Sequence, residues 1–320
     1  MKVLVTGGAG FIGSHTVERL LTQGAAVAVL DEFNDFYDPA IKRANVAGFR
    51  GHVQVIEGDL RDRPTVDRVF AEGKFDTVIH LAARAGVRPS IEDPALYLAT
   101  NINGTFHLLE AAKASGVPRI VFASSSSVYG INKKVPFAET DRIEQTISPY
   151  AMTKMAGEQM CSNYTNLYGI RTVCLRFFTV YGPRQRPDLA ISKFTSLIDQ
   201  GKPVPRYGDG STARDYTYIQ DIVDGILASA AYEGDLFDIF NLGGSQTTTL
   251  AGLITAVETA LNKKAIIENL PLQPGDVPFT YADISKARRL LGYNPNTPIQ
   301  EGIPKFVEWY LERKSQPAVS

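Results

Sequence analysis

Cysteine is scarce: the 320-residue chain carries two, Cys161 and Cys174. Two thiols cannot build a disulfide framework. Both fall in apolar segments, so they read as small buried hydrophobes in a reducing compartment. Charge of one sign is lacking too. With a net charge of −1 and no basic tract or acidic tail, nothing points to nucleic acid or an anionic membrane surface. No stretch approaches the roughly 20 apolar residues of a membrane helix, so no membrane partner is expected. The N-terminus runs straight into a strand, without the n-region, h-region or cleavage site of a leader, which makes the cytoplasm the expected location. Internal repeats and low-complexity linkers are missing. What remains is an ordinary globular composition, 44% hydrophobic and 21% charged, long enough for one large domain or two small ones.

Glycine, by contrast, is concentrated at one place. Gly7-Gly8-Ala9-Gly10-Phe11-Ile12-Gly13 follows the apolar run Val3-Leu4-Val5 directly. A helix that starts on a bare glycine turn offers unpaired N–H groups and its positive dipole end to a ligand, and a pyrophosphate suits both. Gly7 makes the tight turn, Gly10 admits phosphate to the backbone, and Gly13 lets helix and strand pack closely. A plain βα turn would need one glycine, not three at this spacing.

Apolar runs alternate with amphipathic helical patterns up to residue 176. Strands are expected at Val3–Val5, Val27–Leu30, Val53–Ile56, Val78–Leu81, Ile120–Phe122 and Thr172–Leu175, with helices at Phe11–Gln23, Pro94–Ser115 and Pro149–Tyr168. Continuous apolar strands separated by helices specify an α/β fold with a doubly wound parallel sheet, its ligands at the strands' carboxyl ends. Beyond residue 176 the pattern is less regular. Helical stripes recur through Leu250–Leu261 and around Ile303–Leu311, which reads as a smaller lobe closing a substrate cleft. The expected division is therefore 1–176 for the cofactor-binding domain, carrying the catalytic groups, and 177–320 mainly for the substrate.

The second strand ends at Asp31. A carboxylate there accepts from ribose hydroxyls and repels a 2′-phosphate, which favours NAD over NADP. Phe11, Ile12 and Asn34 belong to the same expected cofactor surface, with Asp59-Leu60 placed to meet the adenine. Leu81-Ala82-Ala83 supplies small residues against the dinucleotide. His80 has no His, Cys or carboxylate partner at ligand spacing, so it reads as a packed structural residue, and no metal is expected.

Ser148-Pro149 is a helix start signal that puts Tyr150 and Lys154 at i and i+4 on one helical face. A phenol of pKa about 10 is a poor base. A neighbouring ammonium and a positive nicotinamide ring both favour the phenolate, so the pKa is expected to fall. Strand Ile120–Ala123 runs into Ser124-Ser125-Ser126-Ser127, hydroxyls at the end of a parallel strand where ligands bind. One of them can hydrogen-bond the reacting oxygen.

Taken in this order, the features resemble the extended short-chain dehydrogenase/reductases, and within them the NAD-dependent sugar-nucleotide 4-epimerases. The resemblance covers nearly the whole chain: TGGAGFIGSH (6–15), GDL (58–60), HLAA (80–83), NINGT (101–105), SSSSVYG (124–130), SPYAMTK (148–154), RFFTVYGPRQRPD (176–188), GDGSTARDYTYIQD (208–221) and ADISKA (282–287). It implies a Rossmann-type sheet with a C-terminal substrate lobe. It also implies Ser125 as catalytic hydroxyl, Tyr150 as base, Lys154 on the nicotinamide ribose and Asn101 near the cofactor. Arg214 and Asp276 match contacts to the UDP diphosphate and ribose. Pairing through the helices near 94–115 and 149–168 would give a homodimer.

Two stretches are similar to the UDP-glucuronate 4-epimerase branch: Glu32-Phe33-Asn34-Asp35-Phe36-Tyr37-Asp38, and residues 176–188, where Thr179 replaces the asparagine of many relatives. A uronate carboxylate is costly to bury without hydrogen bonds. Ser126, Ser127 and Thr179 are candidate hydroxyl donors, and Arg88 and Arg186 candidate charged ones. The expected reaction removes the C4 hydroxyl proton through Tyr150 and Ser125 while NAD takes the C4 hydride and returns it to the opposite face. The 4-keto uronate is a β-keto acid, so fixed donors would hold its carboxylate out of alignment with the carbonyl. Dehydratases and decarboxylases of the family typically carry an acid before Val-Tyr-Gly; Ser127 stands there instead. A UDP-glucose/UDP-galactose 4-epimerase is the alternative substrate reading, and a non-catalytic NAD-binding scaffold the alternative of another class.

Overall fold

The structure, a computed structural model, describes residues 1–271 and 279–315. Its first strands are β1 (Lys2–Thr6), β2 (Ala26–Asp31), β3 (Gln54–Glu57), β4 (Thr77–His80), β5 (Arg119–Ser125) and β6 (Arg171–Phe177). Then come β7 (Thr179–Tyr181), β8 (Pro203–Tyr207), β9 (Ala213–Tyr218), β10 (Phe237–Leu242), β11 (Thr247–Thr249) and β12 (Ile266–Leu270). Seven of them form a parallel sheet in the order β10-β6-β5-β4-β1-β2-β3.

Strand alternation sends successive side chains to opposite faces, and here both faces are covered. Val3, Val5, Val29, Ile79, Val121 and Val173 enter one apolar core, while Leu4, Ala28, Leu30, Val78, Ile120 and Cys174 enter the other. Each valine, leucine or isoleucine among them contributes about 1.5–3 kcal/mol when fully buried. The first core is closed by Val17 and Leu20 of α1 (Phe11–Thr22) and by Ile222, Val223 and Ile226 of a helix over Ile219–Ala230. Preceding that helix in the chain are α2 (Pro39–Ala47), α3 (Arg63–Gly73), α4 (Val87–Glu92), α5 (Pro94–Tyr97), α6 (Gly104–Ala114), α7 (Pro149–Tyr168) and α8 (Ala190–Asp199), which makes it α9. The second core lies under α3, α6 and α7. α10 (Leu250–Leu261), α11 (Ser285–Leu291) and α12 (Ile299–Ser315) complete the chain.

Two expectations change. The single helix foreseen over Pro94–Ser115 is three pieces, because Leu98–Asn103 forms a π-helical turn between α5 and α6. Such a turn widens the helix locally and is frequent at functional sites. The chain also returns to the sheet after residue 176: β10 pairs with β6, and α9 covers the first core. The C-terminal portion therefore supplies both sheet and lobe. Strand order reverses between β1 and β4, so their carboxyl-end loops splay apart and leave a crevice. Among the described residues no helix is long and apolar enough to cross a membrane. Cys161 and Cys174 are both buried free thiols.

Candidate active site

A cavity of about 780 Å³ occupies that crevice and extends under the C-terminal portion. Its floor is the glycine turn. Gly7 has φ +70°, and a Cβ on it would sit 2.8 Å from the Ala82 nitrogen; a Cβ on Gly13 would sit 2.1 Å from the Gly7 oxygen. Any side chain at either place would fill the cradle or break it. Gly10 caps α1 without a side-chain hydrogen bond, and no acid stands in the first turn, so the helix's positive end opens into the cavity beside Phe11 and Ile12. That is an anion seat.

Asp31 is buried at the end of β2, accepting from Ala9 N at 3.1 Å and Phe33 N at 2.9 Å. Burial raises its pKa, opposed by Lys42 and by those two N–H groups. Asn34, Asp59, Leu60, Leu81, Ala82 and Ala83 line the same stretch of wall. The seat and the carboxylate fit the diphosphate and ribose of a dinucleotide.

Asn101 is not part of that wall. Its Oδ1 accepts from Arg84 N at 2.8 Å, while Nδ2 donates to Arg84 O at 2.9 Å and Thr153 Oγ1 at 3.1 Å. It stands one layer behind the expected cofactor contact, tying the loop after β4 to α7. Its neighbour Arg84 does reach the cavity, buried, with Nε lacking an acceptor and Nη2 3.6 Å from Glu32.

α7 begins as its sequence signals direct: Pro149 occupies the first turn and the Ser148 hydroxyl accepts from Ala151 N at 3.1 Å. Tyr150 is fixed further by its own N–H, which donates to Ser90 Oγ at 3.1 Å. Buried Lys154 donates to Ala123 O at 2.7 Å, and its Nζ lies 5.8 Å from the Tyr150 ring centre. Ser125 Oγ accepts from Ser127 N at 3.2 Å and from Ser127 Oγ at 2.9 Å. Two donors on one hydroxyl oxygen leave its own proton to point elsewhere, and a hydrogen bond joins Ser125 to Tyr150.

The expected fall in the Tyr150 pKa does not occur in this structure. Burial raises it, against the Ser125 hydrogen bond and the Arg186 charge. Lys154 itself is pushed down to about 8 by burial. The ammonium is spent on a carbonyl rather than on the phenol. Beneath this pair, Glu158 holds Arg176 through two bonds, Nε–Oε1 at 2.9 Å and Nη2–Oε2 at 2.8 Å, and also accepts from Ser124 Oγ.

Most of the remaining expected residues lie elsewhere on the cavity lining. Ser126, Ser127 and Thr179 line the cavity, although the Ser127 proton is committed to Ser125. Arg88 lies over the Tyr207 ring at 5.5 Å. Arg186 is paired with Asp188, and Arg214 lines the wall with Nη1 donating to Ala213 O at 3.0 Å. Asp276 falls outside the described residues. Sequence reasoning missed Lys42, Arg84, Phe36 and Asp188, all on the wall. The available signals were slight: Arg84 directly follows Leu81-Ala82-Ala83, and Asp188 lies two places past Arg186.

The parallel sheet, glycine seat and Ser125/Tyr150/Lys154 set define an extended short-chain dehydrogenase/reductase. A family model described as GDP-mannose 4,6 dehydratase matches residues 4–306, and the chain belongs to that family. It is 46% identical over 331 residues to UDP-glucuronate 4-epimerase 1 of Arabidopsis thaliana, covering 97% of this chain and 77% of that one. Among solved structures it resembles the UDP-glucuronic acid 4-epimerase of Bacillus cereus in complex with UDP-glucuronic acid and NAD, with TM-score 0.92 and 35% identity over 98% of this chain and 100% of that one. The UDP-glucose 4-epimerase of Thermotoga maritima with UDP-glucose is similar too, with TM-score 0.92 and 33% identity over 98% and 100% of the two chains.

Proposed function

We propose that this protein is an NAD-dependent UDP-sugar 4-epimerase acting on UDP-glucuronate to give UDP-galacturonate. The observation carrying this reading is one cavity that joins the glycine seat and Asp31, the Ser125/Tyr150/Lys154 set and the Arg186 guanidinium. The name and complex of the Bacillus cereus relative support it. Gly7, Gly10, Gly13 and Asp31 would hold NAD, which when bound supplies hydride acceptance and return at C4 and a positively charged ring. Its positive charge would add to that of Arg186 in lowering the Tyr150 pKa towards a working value.

Tyr150 takes the proton of the C4 hydroxyl and later gives one back; Ser125, oriented by Ser127, hydrogen-bonds the same oxygen. Lys154, anchored on Ala123 O, serves the nicotinamide ribose rather than the phenol. Arg214 addresses the diphosphate, as its position on the wall suits, and Asp276 remains the expected ribose contact. Arg186, Thr179 and Ser126 carry the uronate carboxylate, with Arg88 nearby. Ser127 in the place of an acid disfavours elimination and decarboxylation despite the family's descriptive name. Residues 1–176 then serve chiefly the cofactor, and 177–320 mainly the sugar nucleotide.

The Thermotoga maritima relative keeps UDP-glucose/UDP-galactose epimerisation as the second substrate reading. A homodimer through α6 and α7 is part of the proposal, since Phe106 and Leu167 are 44% and 70% exposed on those helices. So is a cytoplasmic setting, which suits two buried free thiols. NMR of products from separate incubations with UDP-glucuronate and UDP-glucose tests the substrate. UDP-galacturonate without pentose is expected from the first. Turnover of UDP-glucose alone would overturn the uronate assignment, and turnover of neither would return the scaffold reading.

A further inference from the structure

Nothing in that reaction uses the aromatic pair Phe36-Tyr37, yet the loop carrying it is tightly built. β2 delivers Asp31 to the ribose side of the cavity, and the following residues cross towards the substrate side. Phe33 N is held by Asp31, and Phe36 N donates to Asn34 Oδ1 at 3.2 Å. Buried Lys42 donates to Asn34 Oδ1 at 3.0 Å and Asn34 O at 3.2 Å. The loop ends against Arg186, whose Cζ lies 5.3 Å from the centre of the Phe36 ring.

Arg186 is thereby constrained twice. Asp188 accepts from its Nε at 3.0 Å and from its Nη2 at 2.9 Å, using one edge of the guanidinium. A paired edge alone still lets the plane tilt about the line joining the two groups. A flat ring against one face removes that freedom through dispersion and cation–π attraction. The opposite end, Nη1 with the second Nη2 proton, has no protein acceptor among the described residues and belongs to the cavity wall. Two parallel N–H groups on a planar end match a carboxylate.

We propose that Phe36, acting with Asp188, is a specificity-determining positioning residue: it fixes the plane of Arg186 so that the open end of the guanidinium meets the C6 carboxylate of a uronate. The inference rests on the UDP-glucuronate reading above. UDP-glucose carries a neutral hydroxymethyl group at C6, so its binding gains little from that orientation.

The test measures Kd of the NAD-loaded protein for UDP-glucuronate and UDP-glucose by calorimetry, with kcat at saturating UDP-glucuronate and bound NAD per chain. Wild type is compared with Phe36→Ala, Phe36→Leu and Phe36→Tyr. Phe36→Ala is expected to weaken UDP-glucuronate about tenfold and UDP-glucose less than twofold, with bound NAD unchanged. Phe36→Leu, which keeps apolar volume without a ring face, should resemble alanine, and Phe36→Tyr should restore wild-type affinity. If Phe36→Ala weakens both sugars equally or neither, or if leucine restores affinity as well as tyrosine, the assignment falls while the uronate reading stands. A wild type that neither binds nor converts UDP-glucuronate overturns the uronate reading and takes the Phe36 assignment with it.

Discussion

His80 is locked as a neutral imidazole by a run of hydrogen bonds. Thr105 Oγ1 donates to Asn101 O at 2.6 Å, so it accepts from His80 Nε2 at 3.1 Å. His80 Nδ1 must then accept from Thr6 Oγ1 at 2.7 Å, and Thr6 accepts in turn from Ala82 N at 3.3 Å. The partners fix the tautomer and leave no place for a second ring proton. Burial, with Lys154 adding a smaller repulsion, lowers the pKa from 6.5 to about 3. A depressed folded-state pKa makes the associated stability complete above pH 6.5 and lost as pH falls towards 3. His15, held at about 4 by burial, acts in the same window. Between pH 7 and 4.5 the wild type should therefore lose about 3 kcal/mol more than His80→Gln, measured by urea unfolding at each pH. Parallel pH profiles for the two proteins would show that His80 titrates normally.

α7 carries Tyr150 and Lys154, and a buried ion pair ties it to β6. Glu158 lies one turn beyond Lys154, and its side chain and that of Arg176 are 1% and 4% exposed. Arg176 also lies 4.9 Å from the Tyr129 ring centre, with Nη1 lacking an acceptor. Such a pair gains little over an apolar replacement, but removing one partner strands a buried charge. Glu158→Ala should cost about 3–5 kcal/mol in urea unfolding, with Glu158→Leu/Arg176→Met recovering much of it. Equal losses in the single and double variants would mean that packing, not charge, holds the helix. The start of α7 was legible because Ser148 and Pro149 act within one turn. The break at Leu98–Asn103 was not, since a π-turn leaves the apolar pattern almost unchanged. Arg176 falls just past the expected strand Thr172–Leu175, in the 176–188 motif, and its partner is set by how β6 meets α7.

At the scale of the whole molecule, the same distinction between local and long-range signals holds. The strands of the parallel sheet and the cofactor seat follow from apolar runs and the glycine turn, each visible in a few consecutive residues. The substrate wall follows from contacts across the chain, such as Phe36 on Arg186 and Tyr207 on Arg88. Sequence patterning carries no record of such distances, and it therefore named both arginines without their partners. It also assigned Lys154 to lowering the Tyr150 pKa, where burial raises it and the Lys154 ammonium is bound to the Ala123 carbonyl. β10 closing the sheet from beyond residue 176 shows that the two portions share one core, so the cavity between them is built by both.

If Tyr150 and Ser125 move only the hydroxyl proton, the C4 hydrogen leaves and returns without meeting water. UDP-glucuronate deuterated at C4, incubated with the purified protein in ordinary water and followed by NMR to equilibrium, tests this directly. Full retention of deuterium at C4 of the UDP-galacturonate is the predicted result. Replacement of that deuterium by solvent hydrogen would show that the C4 hydrogen exchanges as a proton, and hydride transfer at C4 would be ruled out.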